Sequence, residues 1–218
     1  MKDIEILHTG LLGVNTCVVR LEGSRVFVVD PAACEFCGDA ALITDFLHDE
    51  GLEPVAVVLT HGHFDHVSGL PALRSRYPDI PIYIHRLDAS FIGRDSALRQ
   101  GVHLALMDFA AFVPVVSNLP EATAFLEDGE AVFDGWRVLH TPGHTEGCCC
   151  LYNAERKCLI SGDTLFYHSF GRTDLPGGDE RAMKKSLRRL SEELPLDTLV
   201  YPGHERYAFP LVEGGRFW

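Results

Sequence analysis

The chain has 218 residues, 46% of them hydrophobic, and a formal net charge of −12. That length suits a single domain spanning residues 1–218 with a sizeable core, and the apolar fraction excludes a disordered chain. An acidic balance without a basic stripe argues against a nucleic-acid partner or an anionic membrane bound through charge.

The N-terminus, MKDIEILHTG, lacks a basic stretch followed by an apolar core. No apolar run approaches the ~20 residues needed to span a bilayer, so a cytoplasmic location without membrane attachment is expected. IEILHT and NTCVVRLE read as strands, and RVFVVDP as a nearly continuous apolar strand stopped by Pro31. Residues 39–50, DAALITDFLHDE, have Ala41, Leu42, Asp45, Phe46 and Asp49 at helical spacing, with Gly51 as the stop. PVAVVLTH is a buried strand, HVSGLPALRSRY a helix and IPIYIH another strand. LDASFIGRDSALRQ looks helical, and 101–120 shows turn signals without a period. The second half returns to strands in AVFDGWRVLHTPGH, CCCLYN and KCLISGD. DERAMKKSLRRLSEEL is an amphipathic helix with Met183, Leu187 and Leu190 facing inward, and DTLVYPGH is the last strand. Two similar halves of mixed strands and helices predict an α/β architecture of two sheets covered by helices.

Seven cysteines are an odd count for a disulfide scaffold. Cys148, Cys149 and Cys150 are consecutive in a strand, as packed reduced thiols would be. Cys34-Glu-Phe-Cys37 has CxxC spacing, but without a second CxxC to complete a zinc site it too reads as packed thiols.

Four strand-end turns carry the chemistry: THGHFDH at 60–66, TPGH at 141–144, SGDT at 161–164 and YPGH at 201–204. Loops at strand ends are where scaffolds mount functional groups. A single histidine at such a place is more often a packed or capping residue. Three imidazoles and a carboxylate within six positions are different, because burying them without a metal is costly. His61 and His63, one residue apart in an extended segment, point the same way and can share an ion. Asp65 and His66 lie across the next helix start and can serve a second ion, with Asp163 as a bridge; His144 and His204 complete the set. These donors suit two divalent ions, zinc first, with iron or manganese as further fits. His8, His48, His103 and His140 read as ordinary packing residues. His85 ends a strand and could back a ligand, and His168 could line the pocket.

The motifs THGHFDH, TPGHT, SGDTLF and PGH, in this order over residues 14–204, resemble the metallo-β-lactamase superfamily. The resemblance implies an αββα four-layer sandwich with the metal site at one edge of the two sheets. It implies His61, His63 and His144 on one ion, Asp65, His66 and His204 on the other, and Asp163 between them. SFGRTDLPGGD (169–179) is similar to the glyoxalase II-related branch, often hydroxyacylglutathione hydrolases. That branch implies hydrolysis of a small-molecule thioester or ester by a metal-bound hydroxide, with Asp65 also orienting the attacking oxygen. Fourteen residues follow His204, and the helical domain that helps glyoxalase II bind glutathione has no counterpart here. The Gly171–Asp174 stretch also occurs in persulfide dioxygenases of the same superfamily, which use a single iron on the equivalents of His61, His144 and Asp163. Arg172 and Asp174 read as a loop-fixing ion pair. Residues 87–125 are expected to shape the pocket mouth, and the aromatic tail Phe217-Trp218 hints at packing on the domain or a partner. The sequence leaves the oligomeric state open.

Overall fold

A computed structural model of the chain describes residues 4–215; Phe217 and Trp218, whose packing the sequence hinted at, lie outside the described residues. The first sheet has six strands in sequential order: β1 (Ile4–Thr9), β2 (Val14–Arg20), β3 (Arg25–Val29), β4 (Glu53–Val58), β5 (Ile82–His85) and β6 (Ala124–Leu126). β1 to β3 pair antiparallel and β3 to β6 parallel. The crossovers carry α1 (Leu42–Asp49), α2 (Phe64–Val67), α3 (Leu70–Arg76), α4 (Ser96–Leu106) and α5 (Val113–Val116). The second sheet uses β7 (Ala131–Phe133), β8 (Trp136–His140), β9 (Cys149–Asn153), β10 (Cys158–Gly162), β13 (Leu199–Pro202) and β14 (Phe209–Pro210) in the order 14-13-10-9-8-7. A small hairpin, β11 (Leu165–Phe166) with β12 (Ser169–Phe170), precedes α6 (Glu180–Glu193).

The alternation of side chains builds the layers. In β3, Val26 and Val28 face the helices that cover the first sheet. Phe27 and Val29 face the second sheet, where Trp136 meets Phe27 edge-on at 5.8 Å. The triple cysteine follows the same rule. Cys149 points into the inter-sheet core and Cys150 toward α6, because a strand covered on both faces buries consecutive residues. Met183, Leu187 and Leu190 of α6 are fully buried against Leu139, Cys150, Leu159 and Val200, as the sequence predicted. The αββα sandwich is therefore the observed fold. Truncating Leu187 to alanine is expected to cost about 2–5 kcal/mol in chemical denaturation, the usual range for a buried leucine.

Several element boundaries differ from the sequence reading. The helix expected over 66–77 is two helices, broken where Gly69 N donates to Pro31 O at 2.9 Å and Pro71 opens the next turn. In α1 the buried face is Ile43 and Leu47 rather than the positions picked by spacing, since Ala41 and Leu42 are exposed at the helix start. The helix expected over 87–100 begins only at Ser96. An extended Ile92 and a left-handed Gly93 (φ 71°) interrupt the chain, leaving 3₁₀ turns before it. β6 follows the aperiodic stretch unannounced, and β14 forms the true edge beyond the expected last strand. Among the described residues no helix is long and apolar enough to cross a membrane.

Candidate metal centre

Strands β4, β8, β10 and β13 finish at one edge of the sandwich, and all four ligand-bearing turns therefore meet there. Two backbone bonds stitch the sheets together at this edge. Cys149 N donates to Thr60 O at 2.8 Å, and Asn15 N donates to Gly203 O at 2.7 Å. His61, His63 and His144 converge in one trio and Asp65, His66 and His204 in a second, each with donor atoms within 4.8 Å of one another. Asp163 lies between them. Its Oδ1 is 3.4 Å from His66 Nε2, and its Oδ2 is 3.6 Å from both His144 Nε2 and His204 Nε2. All seven residues singled out in the sequence are thus brought together.

The hydrogen bonds fix which nitrogen each imidazole presents. Thr60 Oγ1 donates to Asp30 Oδ2 at 2.6 Å, so it accepts from His61 Nδ1 at 3.1 Å. His66 Nδ1 donates to the same Asp30 oxygen at 3.0 Å, and His144 Nδ1 donates to Arg172 O at 2.7 Å. Each of these three rings therefore turns its Nε2 inward. His63 faces His144 Nε2 with its Nδ1, at 2.8 Å. His61 Nε2 and Asp163 Oδ1 are buried without any hydrogen-bond partner. Such groups are expensive to leave unsatisfied, and nitrogens aimed at nitrogens are explained by a cation between them. The residues present fit a two-metal site.

The electrostatics divide the trios. Burial, reinforced by neighbouring imidazoles, pushes His61 and His63 well below their ordinary value and keeps them neutral. Burial also opposes the charged form of His66, but Asp163, Asp65 and Asp30 override it and hold the ring up at about 10. In Asp65, burial is outweighed by His66 and His204, which hold the carboxyl well below its usual range. Without metal the second trio thus carries protons, and filling it releases them.

Close approach shapes this end. A Cβ at Gly203 would collide with Asp163 Oδ1 and lie 2.6 Å from His66 Cε1. Gly203→Ala is expected to displace both groups and to leave the second trio unfilled, read as about one metal ion fewer per chain by elemental analysis.

Two carboxylates that the sequence reading passed over hold the ligand loops. Asp30, buried at the end of β3, accepts from Thr60 N at 2.7 Å as well as from Thr60 Oγ1 and His66 Nδ1. Asp88, fully buried, accepts from Gly62 N at 3.0 Å, Thr145 Oγ1 at 2.7 Å and Gly147 N at 2.8 Å, so it ties the first histidine loop to the His144 loop. Burial pushes Asp88 upward, against these hydrogen bonds. Asp30 shares the signal used elsewhere, an acid at a strand end beside proline; Asp88 lies in the 87–125 region, in a stretch that reads as helical, and gave none. That stretch was expected at the mouth and instead backs the histidines. Gln100 Nε2 donates to Gly62 O at 2.7 Å, and the buried His103 ring lies 5.2 Å from His63. His85 stacks on His140 at 4.1 Å and caps Leu87 N rather than backing a ligand. A cleft of about 360 Å³ opens onto His144, Asp163 and His204, rimmed by Leu12, Phe166, Arg172 and Glu205. Phe166, not His168, provides the aromatic wall. Arg172 and Asp174 form the expected ion pair, bidentate with both contacts at 2.8 Å.

A sequence profile of the Metallo-beta-lactamase superfamily matches residues 9–204. A probable metallo-hydrolase of Bacillus subtilis, YqgX, is 33% identical over 84% of this chain and 82% of its own. The hydroxyacylglutathione hydrolase GloC of Haemophilus influenzae is 28% identical over 94% of this chain and 92% of its own. Among solved structures, the BLEG-1 B3 metallo-beta-lactamase superposes with a TM-score of 0.83 at 29% identity, covering 96% of this chain and 95% of that one. TTHA1623 in a di-iron-bound form superposes with a TM-score of 0.78 at 31% identity, covering 98% and 100%.

Proposed function

This chain belongs to the metallo-β-lactamase superfamily, and on that footing we propose that it is a metal-dependent hydrolase cleaving a small-molecule thioester or ester. The observation that carries the reading is the pair of ligand trios joined by Asp163, with Nε2 of His61, His66 and His144 bared by hydrogen bonds on the far side of each ring. Divalent ions there, zinc first on this donor set, would lower the pKa of a water molecule toward neutrality and polarise a carbonyl oxygen.

The chain's own residues supply the rest. Asp30, Thr60 and the Arg172 carbonyl hold the imidazoles in one tautomer. Asp65, kept ionised and 3.2 Å from His204 Nε2, is an acceptor able to orient the attacking water. Leu12 and Phe166 give the cleft apolar walls for an acyl group. Free cysteine thiols ionise near pH ~8.5, and a thiolate of that kind leaves without a dedicated general acid. The full-length similarity to a hydroxyacylglutathione hydrolase supports the thioester class.

The test is metal content and turnover on one sample purified without added metal. Two ions per chain with hydrolysis of S-D-lactoylglutathione, or of a simpler acyl thioester, is the expected result. Two ions with turnover of a β-lactam but no thioester would move the substrate class. One iron per chain with oxygen consumption on glutathione persulfide would replace hydrolysis by the dioxygenase alternative.

A further inference from the structure

The CxxC segment, read above as packed thiols, is arranged for chemistry. Cys34 and Cys37 flank a single 3₁₀ turn closed by Cys37 N donating to Cys34 O at 3.1 Å. Their side chains meet, with the Cys34 thiol donating to the Cys37 sulphur at 3.3 Å. Both are free thiols; Cys34 is buried and Cys37 half-buried, so Cys37 is the more exposed of the two. The turn is fastened in place. Asp39 Oδ1 accepts from Cys34 N at 2.8 Å, and Asp39 Oδ2 accepts from Gly10 N at 2.7 Å. Beside it lies a groove of about 510 Å³ lined by Cys34, Phe36, Ala40, Ser68 and Ala72.

A metal is a weaker use of this pair. Asp39 is the third potential ligand within reach, but both of its oxygens already accept backbone N–H groups. Two sulphurs alone leave a tetrahedral ion half coordinated. A disulfide needs no third group. The sulphurs must close from 3.3 Å to about 2.05 Å, which side-chain rotation within one turn can supply.

We propose that Cys34 and Cys37 form a thiol–disulfide exchange site, oxidised by small disulfides of the glutathione class. The Cys37 sulphur attacks the incoming disulfide, forming a mixed disulfide and releasing one thiol; Cys34 then attacks the Cys37 sulphur and releases the second. One S–S bond forms inside the protein and one breaks in the reagent. Two electrons pass to the reagent, and the two cysteine protons end on its thiols. Burial, with Cys34 beside it, pushes the Cys37 thiol up to about 12, so the exchange is slow at neutral pH and is best followed at about pH 8.5. The site lies outside the metal centre and does not depend on the hydrolase reading.

The experiment uses the full chain with its metals. The protein is exposed to oxidised glutathione, freed of reagent, unfolded and labelled with N-ethylmaleimide, then digested with trypsin. Residues 26–74 form one tryptic peptide whose cysteines are Cys34 and Cys37 alone. The expected product is that peptide lighter by two hydrogens, without label or glutathione, while Cys17, Cys148, Cys149, Cys150 and Cys158 are fully labelled. Dithiothreitol should restore labelling. Cys34→Ser should instead trap one stable glutathione adduct at Cys37, and Cys37→Ser should leave buried Cys34 fully labelled. A wild-type peptide carrying two labels, or two glutathiones without an internal bond, would overturn the proposal.

Discussion

Replacing Asp163 with asparagine is expected to lower kcat/KM by at least about 10²–10³-fold, the scale of losing one electrostatic stabiliser of the transition state, while leaving the fold intact. Asp163 follows β10, and its two oxygens reach toward His66 on one side and toward His144 and His204 on the other. It lies between both trios. An amide of the same shape fills the space but presents a neutral oxygen and an NH₂ group that cannot ligate. Metal content should fall below two ions per chain. In the metal-free protein the Asp163 carboxylate faces the protonated His66, with Oδ1 3.4 Å from Nε2, so the variant should also melt below wild type at neutral pH once both are stripped of metal. Calorimetry of the stripped proteins, beside elemental analysis and thioester kinetics of the loaded ones, checks all three expectations. Two retained ions with turnover within tenfold of wild type would remove Asp163 from its bridging role.

Asp30→Ala should act first on the fold and, through it, on the ligands. Its carboxylate accepts from Thr60 N, Thr60 Oγ1 and His66 Nδ1, all buried. Removing it strands three donors, each worth about 1–3 kcal/mol when left unsatisfied. A loss of about 3 kcal/mol or more should therefore appear even without metal. His66 and, through Thr60, His61 also lose the group that fixes their tautomer. Losing such an outer partner typically weakens metal binding about 10–100-fold. Chelator competition on the purified variant measures that loss, and urea titration of the metal-free protein measures the first. Unchanged stability without metal would show that Asp30 acts through the ions alone.

The ligand set was legible because each member sits in a short turn whose composition is hard to explain otherwise. His61, His63, Asp65 and His66 crowd one turn, and His144 and His204 each follow Pro-Gly. The αββα layering was legible because β3, β4, β9 and β10 are apolar on both faces, which requires covering layers on each side. What escaped was support that comes from distant sequence. Asp88 bonds residues 26 and 59 positions away, and no local pattern announces that. Phe91 ends a 3₁₀ turn and Gln100 and His103 lie on the buried face of α4, and their common task behind Gly62 and His63 is visible only in three dimensions. Ile92 and Gly93 broke a helix that the composition favoured, and a three-residue strand such as β6 is too short to leave a periodic trace.

The two trios also impose an order on how the protein is made. Four of the seven ligand candidates, through His66, lie in the first sheet's crossovers, and the other three follow strands of the second. The first trio stays incomplete until His144 has been added, and the second until His204, close to the end of the 218 residues. A nascent N-terminal half therefore lacks the full donor set of either trio. Metal loading becomes a late event that reports on the docking of both sheets, and the ions, once held, staple together segments that were synthesised far apart in time.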